Sequence, residues 1–420
     1  LPNMFKIGEF IYPWGGGHYS RMMRFDRALA RQIGDAEIHY ASKGHVYEKL
    51  LRRFPDKTDR IHQILMPTPI DGSMGPSLTK SLANLLLPVE QNRSLVRQVT
   101  DYLRQERRLY DKDRRFDLVV NDGDMGSNIL AKNRRVPSLF VTNQFKPKLY
   151  RTRAYLYPAL RFIAKQIAKA TKILVADSPP PHTICEYNLN FTDEVAAKKV
   201  EYVGHFTDVV AETETNDRGP ASTDLGRLIG SDDSEFGYWM RTGDKSTNDG
   251  TGLRYQRAFA DGKMAERRRL VSHARNDPGI DAVTDRNGKR YSVAEAADKK
   301  IDWVQIDVGF LSEHDKDMVL DRCAYAVVNG SHTVMGEIMG GRARPIIGVP
   351  IYDEHTNNIR WADEHGLGIL AISTEQIVAG IDKIMQEKHG FLDRLAEFSR
   401  NFKAGGAERT AEIAAEILQQ

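Results

Sequence analysis

Residues 325–337 read Tyr-Ala-Val-Val-Asn-Gly-Ser-His-Thr-Val-Met-Gly-Glu, residues 344–350 Arg-Pro-Ile-Ile-Gly-Val-Pro, and residues 353–358 Asp-Glu-His-Thr-Asn-Asn. Tyr325 to Val328 is a short apolar run, the length of a buried parallel strand. Asn329-Gly330-Ser331 is turn chemistry. From Thr333 onward, Val334, Met335 and Ile338 fall on one face of a predicted helix. Ser331 and His332 therefore sit where a helix begins at the carboxyl end of a strand. Unsatisfied backbone N–H groups and the helix dipole favour an anion there. Ile346 to Val349 predicts a second buried strand. Pro350 ends it, and a polar loop follows. Two such strand–loop–helix units make a crevice at the strand ends, where open α/β sheets bind ligands.

Working outward, the amino terminus repeats the pattern. Phe5 to Tyr12 predicts a strand, Pro13 to His18 a glycine-rich turn, and Ser20 to Ile33 a helix with Met23, Leu29 and Ile33 inward. Further strands are predicted at 37–40, 117–120, 137–141 and 172–176, then at 236–241, 280–284 and 301–308. Helices are predicted between them, at 78–110 with a break near Pro88, at 159–170, 255–274 and 313–322. This alternation predicts an α/β protein with two Rossmann-like domains, each a doubly wound parallel sheet. The expected organisation is a first domain over 1–205, a polar linker over 206–235, a second domain over 236–390, and carboxyl-terminal helices over 391–420.

Composition narrows the class. The chain has 420 residues, enough for two cores, and is 41% hydrophobic and 28% charged, as globular proteins are. Cys185 and Cys323 stand far apart, which argues for a reducing compartment and against a disulfide framework or a cysteine metal site. No apolar run approaches the ~20 residues of a membrane span, and the amino terminus lacks a signal pattern. A cytoplasmic protein is expected. The net charge of +3 hides an asymmetry: 33 Lys and Arg against 21 Asp and Glu in residues 1–205, and 27 against 36 afterwards. The two halves are expected to face different partners. Nothing resembles a nucleic-acid reading module.

The pattern Gly330-Ser331-His332, Glu337, Pro345, Pro350, Glu354-His355 and Asn358 resembles the donor-binding segment of GT-B glycosyltransferases. The loop Gly16-Gly17-His18 with Arg21 resembles their amino-terminal loop. The resemblance is closest to enzymes such as the lipid-linked peptidoglycan N-acetylglucosaminyltransferases, and is weak over 206–300. It implies two domains facing across a cleft, the first binding acceptor and the second a nucleotide-diphosphate sugar, with UDP-N-acetylglucosamine among the candidates. It assigns the diphosphate to Gly330, Ser331, His332 and Thr333, the ribose to Glu337, and the sugar to Asp353, Glu354, His355 and Asn358. It adds Gly17 and Arg21, and from the loop after the strand at 236–241, Lys245, Ser246 and Thr247. On the residues alone that loop reads equally as a mobile surface loop. Ser331 in place of a second glycine, and His355 in place of the usual Gln, depart from the family pattern.

The family resemblance also implies an inverting, metal-independent transfer in which His18 takes the acceptor hydroxyl proton. On the residues alone His18 serves equally as a cap for its helix. A carboxylate about a hundred residues on would orient it, and Asp122 and Asp124 lie 104 and 106 residues away. Asp122 is nearer the strand end. The same two residues form the chain's Asp-x-Asp triplet, but in the acceptor half. No such motif ends a strand in the donor half, and no cofactor is expected. Residues 146–169 interleave Lys146, Lys148, Arg151, Arg153, Arg161, Lys165 and Lys169 with aromatic and apolar residues. That suits either a peripheral contact at the inner face of a membrane, with a lipid-linked acceptor, or a core helix with a solvated face. Two other functions fit the same residues: a nucleotide-sugar 2-epimerase, and a non-catalytic nucleotide-sugar-binding subunit.

Overall fold

The computed structural model describes residues 4–14, 16–34, 36–68, 70–72, 75–76, 78–84, 87–89, 92–110, 116–149, 157–191, 197–207, 223–230, 235–275 and 279–420. The chain divides into two compact units. The first holds Leu1–Gly72, Pro76–Thr207 and Lys403–Gln420, and the second holds Ser73–Gly75 and Asp208–Phe402.

The sheet of the first unit runs Ile61–Gln63, Glu37–Ser42, Lys6–Ile11, Leu118–Asp122, Ser138–Thr142, Lys172–Val175, Val200–Tyr202, with every neighbour parallel. The central strands are apolar on both faces because helices cover both. Ile7, Ile11, Leu118 and Val120 pack with Met22, Phe25 and Leu29 of the helix Gly17–Ile33. Phe10 and Val119 face the other way, into a cluster with Tyr102, Tyr110 and Phe116. Strand order reverses between Lys6–Ile11 and Leu118–Asp122. A crevice opens at the carboxyl ends of such a switch point.

The sheet of the second unit runs Arg290–Tyr291, Ala282–Asp285, Trp303–Val308, Arg269–Ser272, Gly237–Met240, Tyr325–Val328, Ile346–Gly348, Gly368–Leu370. It is parallel except that Ala282–Asp285 runs antiparallel to both its neighbours. Its switch point lies between Gly237–Met240 and Tyr325–Val328. Trp239 is fully buried there, edge-on to Tyr255 and Phe259 at 4.9 and 4.7 Å. Tyr255 Oη lies 2.9 Å from the carbonyl oxygens of both Met240 and Val327 and donates to one at a time. The helix Lys245–Phe259 is thereby tied to the ends of both strands.

Several elements depart from expectation. The helix predicted over 255–274 stops at Phe259, and Arg269–Ser272 is instead a central strand. Its polar opening hid it. Arg269 is tolerated inside because its guanidinium meets Gln305 Oε1 at 2.7 Å and the Met264 carbonyl at 2.8 Å, over the Phe259 ring. The polar run 353–358 is the start of the helix Asp353–Glu364, not a loop. The expected linker over 206–235 contains the helix Thr223–Gly230, whose Leu225, Leu228 and Ile229 are buried in the second unit; residues 208–222 and 231–234 lie outside the described residues. The carboxyl-terminal helices do not act together. Lys388–Asn401 belongs to the second unit. Gly406–Leu418 belongs to the first, where Ala407, Ala411, Ile413 and Ala414 complete the core around Met22 and Phe25. Gly406 must be glycine because a Cβ would come within 2.2 Å of the Gly204 carbonyl oxygen.

One buried group stands out in the first unit. Glu9, on the central strand, has no exposed surface, and no donor among the described residues reaches its carboxyl oxygens. Burial, then the charge of Asp26, pushes its carboxyl well above the usual range. Tyr40 Oη donates to Asp26 at 2.8 Å, so Asp26 is the ionised partner and Glu9 the protonated one. The folded state thus holds a proton that the unfolded chain releases above a carboxyl pKa of ~4.3. Stability from this pair is present in acid and is lost as pH rises through the raised pKa. Glu9→Gln should flatten that dependence and raise stability at pH 8 by on the order of 1–3 kcal/mol. Urea unfolding from pH 5 to pH 9 checks it. A parallel loss in variant and wild type would assign the proton elsewhere.

Candidate active site

In the first unit the glycine-rich turn delivers its helix straight onto the sheet edge. The helix begins at Gly17, three residues earlier than expected, so His18 and Arg21 lie one turn apart on the same face. Both meet Asp122, the last residue of the neighbouring strand. His18 Nδ1 lies 2.6 Å from Asp122 Oδ1. Arg21 grips the same carboxylate as a fork, Nε to Oδ2 and Nη2 to Oδ1, both at 2.7 Å. Asp122 has no exposed surface and Arg21 is 4% exposed, whereas the His18 side chain is 21% exposed. Burial alone would raise the Asp122 carboxyl, but Arg21 and then His18 hold it down at about 2.

That ionisation decides the tautomer. A carboxylate only accepts, so Nδ1 of His18 carries the proton and donates to Asp122. Arg21 Nη2, 3.0 Å from the same Nδ1, is a close neighbour and not its donor. The Nε2 lone pair of His18 is left to accept. Gly123 has φ +85°, and a Cβ there would lie 3.1 Å from His18 Cε1 and 2.9 Å from Tyr12 Cβ, so only glycine lets the chain pass beside the imidazole.

Two expectations change here. Arg21, assigned to the donor, serves Asp122. Asp124, the alternative partner of His18, turns into the helix Gly126–Arg134, where it accepts from Ser127 N at 2.9 Å and from Tyr102 Oη. Burial, then the charge of Asp124, pushes the adjacent Glu106 well above the carboxylate range. The two carboxylates of the Asp-x-Asp triplet therefore face different partners, and they do not form one ligand set.

In the second unit the loops after Gly237–Met240 and Tyr325–Val328 are tied together by Asn329. Its Nδ2 donates to the Thr242 carbonyl at 3.1 Å, and its Oδ1 accepts from Thr242 Oγ1 at 3.2 Å and Ser331 N at 3.2 Å. Gly330 has φ +97°. Asn358 Nδ2 donates to the Gly330 carbonyl at 3.0 Å. Lys245, Ser246 and Thr247 form the first turn of the 15-residue helix Lys245–Phe259, not a mobile loop. Asp244 caps that helix, accepting from Thr247 N at 2.8 Å. Thr247 Oγ1 and Ser246 Oγ also turn to Asp244. The Lys245 side chain stays 93% exposed.

The remaining predicted donor residues divide. Asp353 and Glu354 are half-buried in the first turn of the helix Asp353–Glu364. His332 is buried at the start of the short helix His332–Met335, with Thr333 beside it. Glu337 meets Lys316 at 2.8 Å, so the expected ribose acceptor already holds a cation. His355 is a correction. It is 3% exposed, stacked on Tyr352 at 3.8 Å, and burial pushes its imidazole down to about 3. It is a neutral packing residue under Gly330, not an exposed sugar contact. Sequence reasoning missed Asn329 as a tie between loops, and Arg254, which reaches the Pro350 carbonyl. No local pattern marks either.

No protein-family model and no curated protein matches this sequence. Solved structures do match its shape. The glycotransferase of kitacinnamycin is 12% identical, with a TM-score of 0.61, over 99% of this chain and 100% of that one. The calicheamicin glycosyltransferase CalG4 is 15% identical, with a TM-score of 0.59, over 100% and 99%. UGT2 of Phytolacca americana, solved with UDP-2-fluoro-glucose and pterostilbene, is 12% identical, with a TM-score of 0.61, over 99% and 100%. The chain has the GT-B fold, two Rossmann-like units in one chain.

The donor-side loop makes a sharp demand on Gly330. A Cβ there would come within 2.7 Å of Ile359 Cδ1 and 2.8 Å of the His355 carbonyl oxygen, in a positive-φ conformation. Gly330→Ala should destabilise the second unit by about 1–3 kcal/mol. Gly341→Ala, where a Cβ meets nothing within 4 Å, should change stability much less. Thermal unfolding of the two variants side by side checks the contrast, and equal shifts would contradict it.

Proposed function

We propose that this protein is an inverting glycosyltransferase that moves a sugar from a nucleotide-diphosphate sugar to a hydroxyl acceptor without a catalytic metal. The observation that carries the reading is His18, held by an ionised, buried Asp122 with Nδ1 protonated and Nε2 left to accept. Such an imidazole is a general base. Nε2 takes the acceptor's hydroxyl proton, and the oxygen attacks the anomeric carbon from the face opposite the diphosphate. The bond from that carbon to the diphosphate breaks, and the diphosphate leaves with the electron pair. One displacement inverts the configuration.

The leaving charge has counterparts in the second unit. The amino terminus of the helix Lys245–Phe259 and the exposed Lys245 ammonium take the place that a metal fills in other transferases. Glu337, steadied by Lys316, is assigned to the ribose. UDP is the proposed nucleotide, because UGT2 of the same fold was solved with a UDP-sugar analogue. The acceptor is proposed to be lipid-linked. Arg161, Phe162 and Lys165 are exposed on the helix Tyr157–Ile167, with Phe162 63% exposed. Residues 150–156 of that basic stretch lie outside the described residues. No helix among the described residues is long and apolar enough to cross a membrane.

A thermal-shift screen of nucleoside diphosphates and nucleotide sugars identifies the donor, since a ligand bound to the folded state raises its apparent stability. With donor and acceptor in hand, His18→Ala should lower kcat by roughly 10²–10⁴-fold and leave donor affinity near wild type. Near wild-type turnover would remove His18 as the base. Conversion of donor alone to an epimerised sugar would show a 2-epimerase instead. Binding to anionic vesicles, released by salt, should weaken when Phe162 is replaced by Ser; equal recovery with and without vesicles would contradict the lipid-linked acceptor.

A further inference from the structure

Behind the loop Arg241–Asp244 runs a chain of polar side chains that the proposed reaction does not use. Arg241 follows the strand Gly237–Met240 and is 5% exposed. Its Nη1 lies 3.0 Å from His273 Nδ1, and His273 Nε2 lies 2.8 Å from Asp307 Oδ1. The three residues come from the carboxyl ends of three adjacent strands, Gly237–Met240, Arg269–Ser272 and Trp303–Val308. Gln305 donates to the other oxygen of Asp307 at 2.8 Å and accepts from Arg269. On the facing helix, Arg241 Nη2 lies 3.6 Å from Asp249, which also meets Lys245 and Arg275. Asn248 Nδ2 donates to the His273 carbonyl at 2.9 Å.

We propose that Arg241, His273 and Asp307 form a relay that positions the donor-side loop Thr242–Asp244, and that it holds only while His273 is neutral. The hydrogen-bond inventory forces the state. A guanidinium has no acceptor, so Nδ1 of His273 must accept from Arg241. Nε2 must then carry the only proton, donated to Asp307. A second proton on Nδ1 would set two donors against each other at 3.0 Å, beside a cation. Arg241 has little room to yield. A Cβ on Gly252 would lie 2.5 Å from its Cζ, so the guanidinium rests on the bare face of that glycine. Movement of Arg241 passes directly to Thr242, which Asn329 ties to the Gly330 loop, and to Asp244, which caps the helix Lys245–Phe259. These three are positioning residues, since they act through the loop and not on the substrate.

The relay makes nucleotide binding fall as His273 protonates. The inference rests on the donor site proposed for the second unit, and its test separates the two. UDP binding is measured by calorimetry at pH 8 and pH 5.5 for wild type and His273→Gln, whose amide can accept from Arg241 and donate to Asp307 without titrating. Wild-type affinity should drop roughly tenfold or more in acid, and the variant should hold one affinity at both values. Equal acid losses in both proteins overturn the relay. If wild type binds no UDP at pH 8, the donor reading fails, and the relay is judged by imidazole ¹⁵N shifts of the wild-type chain. There His273 should be the Nε2–H tautomer at pH 8, and its titration should shift the amides of Thr242 to Lys245. An Nδ1–H tautomer, or unmoved amides, overturns it. The same spectra decide the matter if the variant does not fold.

Discussion

A carboxylate with no exposed surface is the constraint on which the first unit depends. Asp122 would cost several kcal/mol to bury as a lone ion. Arg21 offsets that cost with two parallel hydrogen bonds in fixed fork geometry, as lysine could not. Once Asp122 is ionised and immobile, the protonation of His18 follows, and so does its orientation. The glycines around it, at the turn before the helix and at Gly123, let backbone and imidazole lie close together. A catalytic constellation and a folding constraint are here the same set of contacts.

The second unit meets a different problem with different means. Its candidate site is built mainly from backbone, two loops and two helix starts, so the placement of main-chain groups is what must be controlled. Asn329 does this with one amide that both donates and accepts, binding the loop after Gly237–Met240 to the loop after Tyr325–Val328. Tyr255 anchors the same two strands from beneath. Gly330 is squeezed between its own loop and the helix Asp353–Glu364, which gives the loop one position. His355, neutral and packed under it, is part of the support.

Both units also carry buried ionisable groups with no place in the proposed reaction. Glu9 beside Asp26, and Glu106 beside Asp124, are carboxyl pairs in which burial pushes one member up. Each adds protons to the folded state, so each ties stability to pH. The charged residues behind the donor loop are paired instead of protonated, because Arg241, His273 and Asp307 offer complementary donors and acceptors. The contrast follows from composition: two acids together can share one proton, whereas an acid, a base and a guanidinium can satisfy one another.

Much of the architecture was legible in the chain itself. Apolar runs of strand length, glycine turns and helical periodicity marked most of the central strands, and local pattern is enough for such elements. The same pattern placed His18 and Asp122 at carboxyl ends of strands in one sheet, and Gly330 at a strand-to-helix turn. It failed where burial and polarity disagree. Arg269–Ser272 opens with an arginine yet is a central strand, because Gln305 and the Met264 carbonyl, distant or irregular in sequence, satisfy the guanidinium. The run 353–358 looked like a polar loop because its buried Asn358 and His355 find their places only against Gly330. The sequence by itself determined which residues could meet at the two switch points. Only the tertiary structure decided that Arg21 turns to Asp122, that Asp124 turns away, and that Arg241 and Asp307 share His273. Those choices depend on hydrogen-bond geometry between strands adjacent in space and far apart in the chain, which no local pattern encodes.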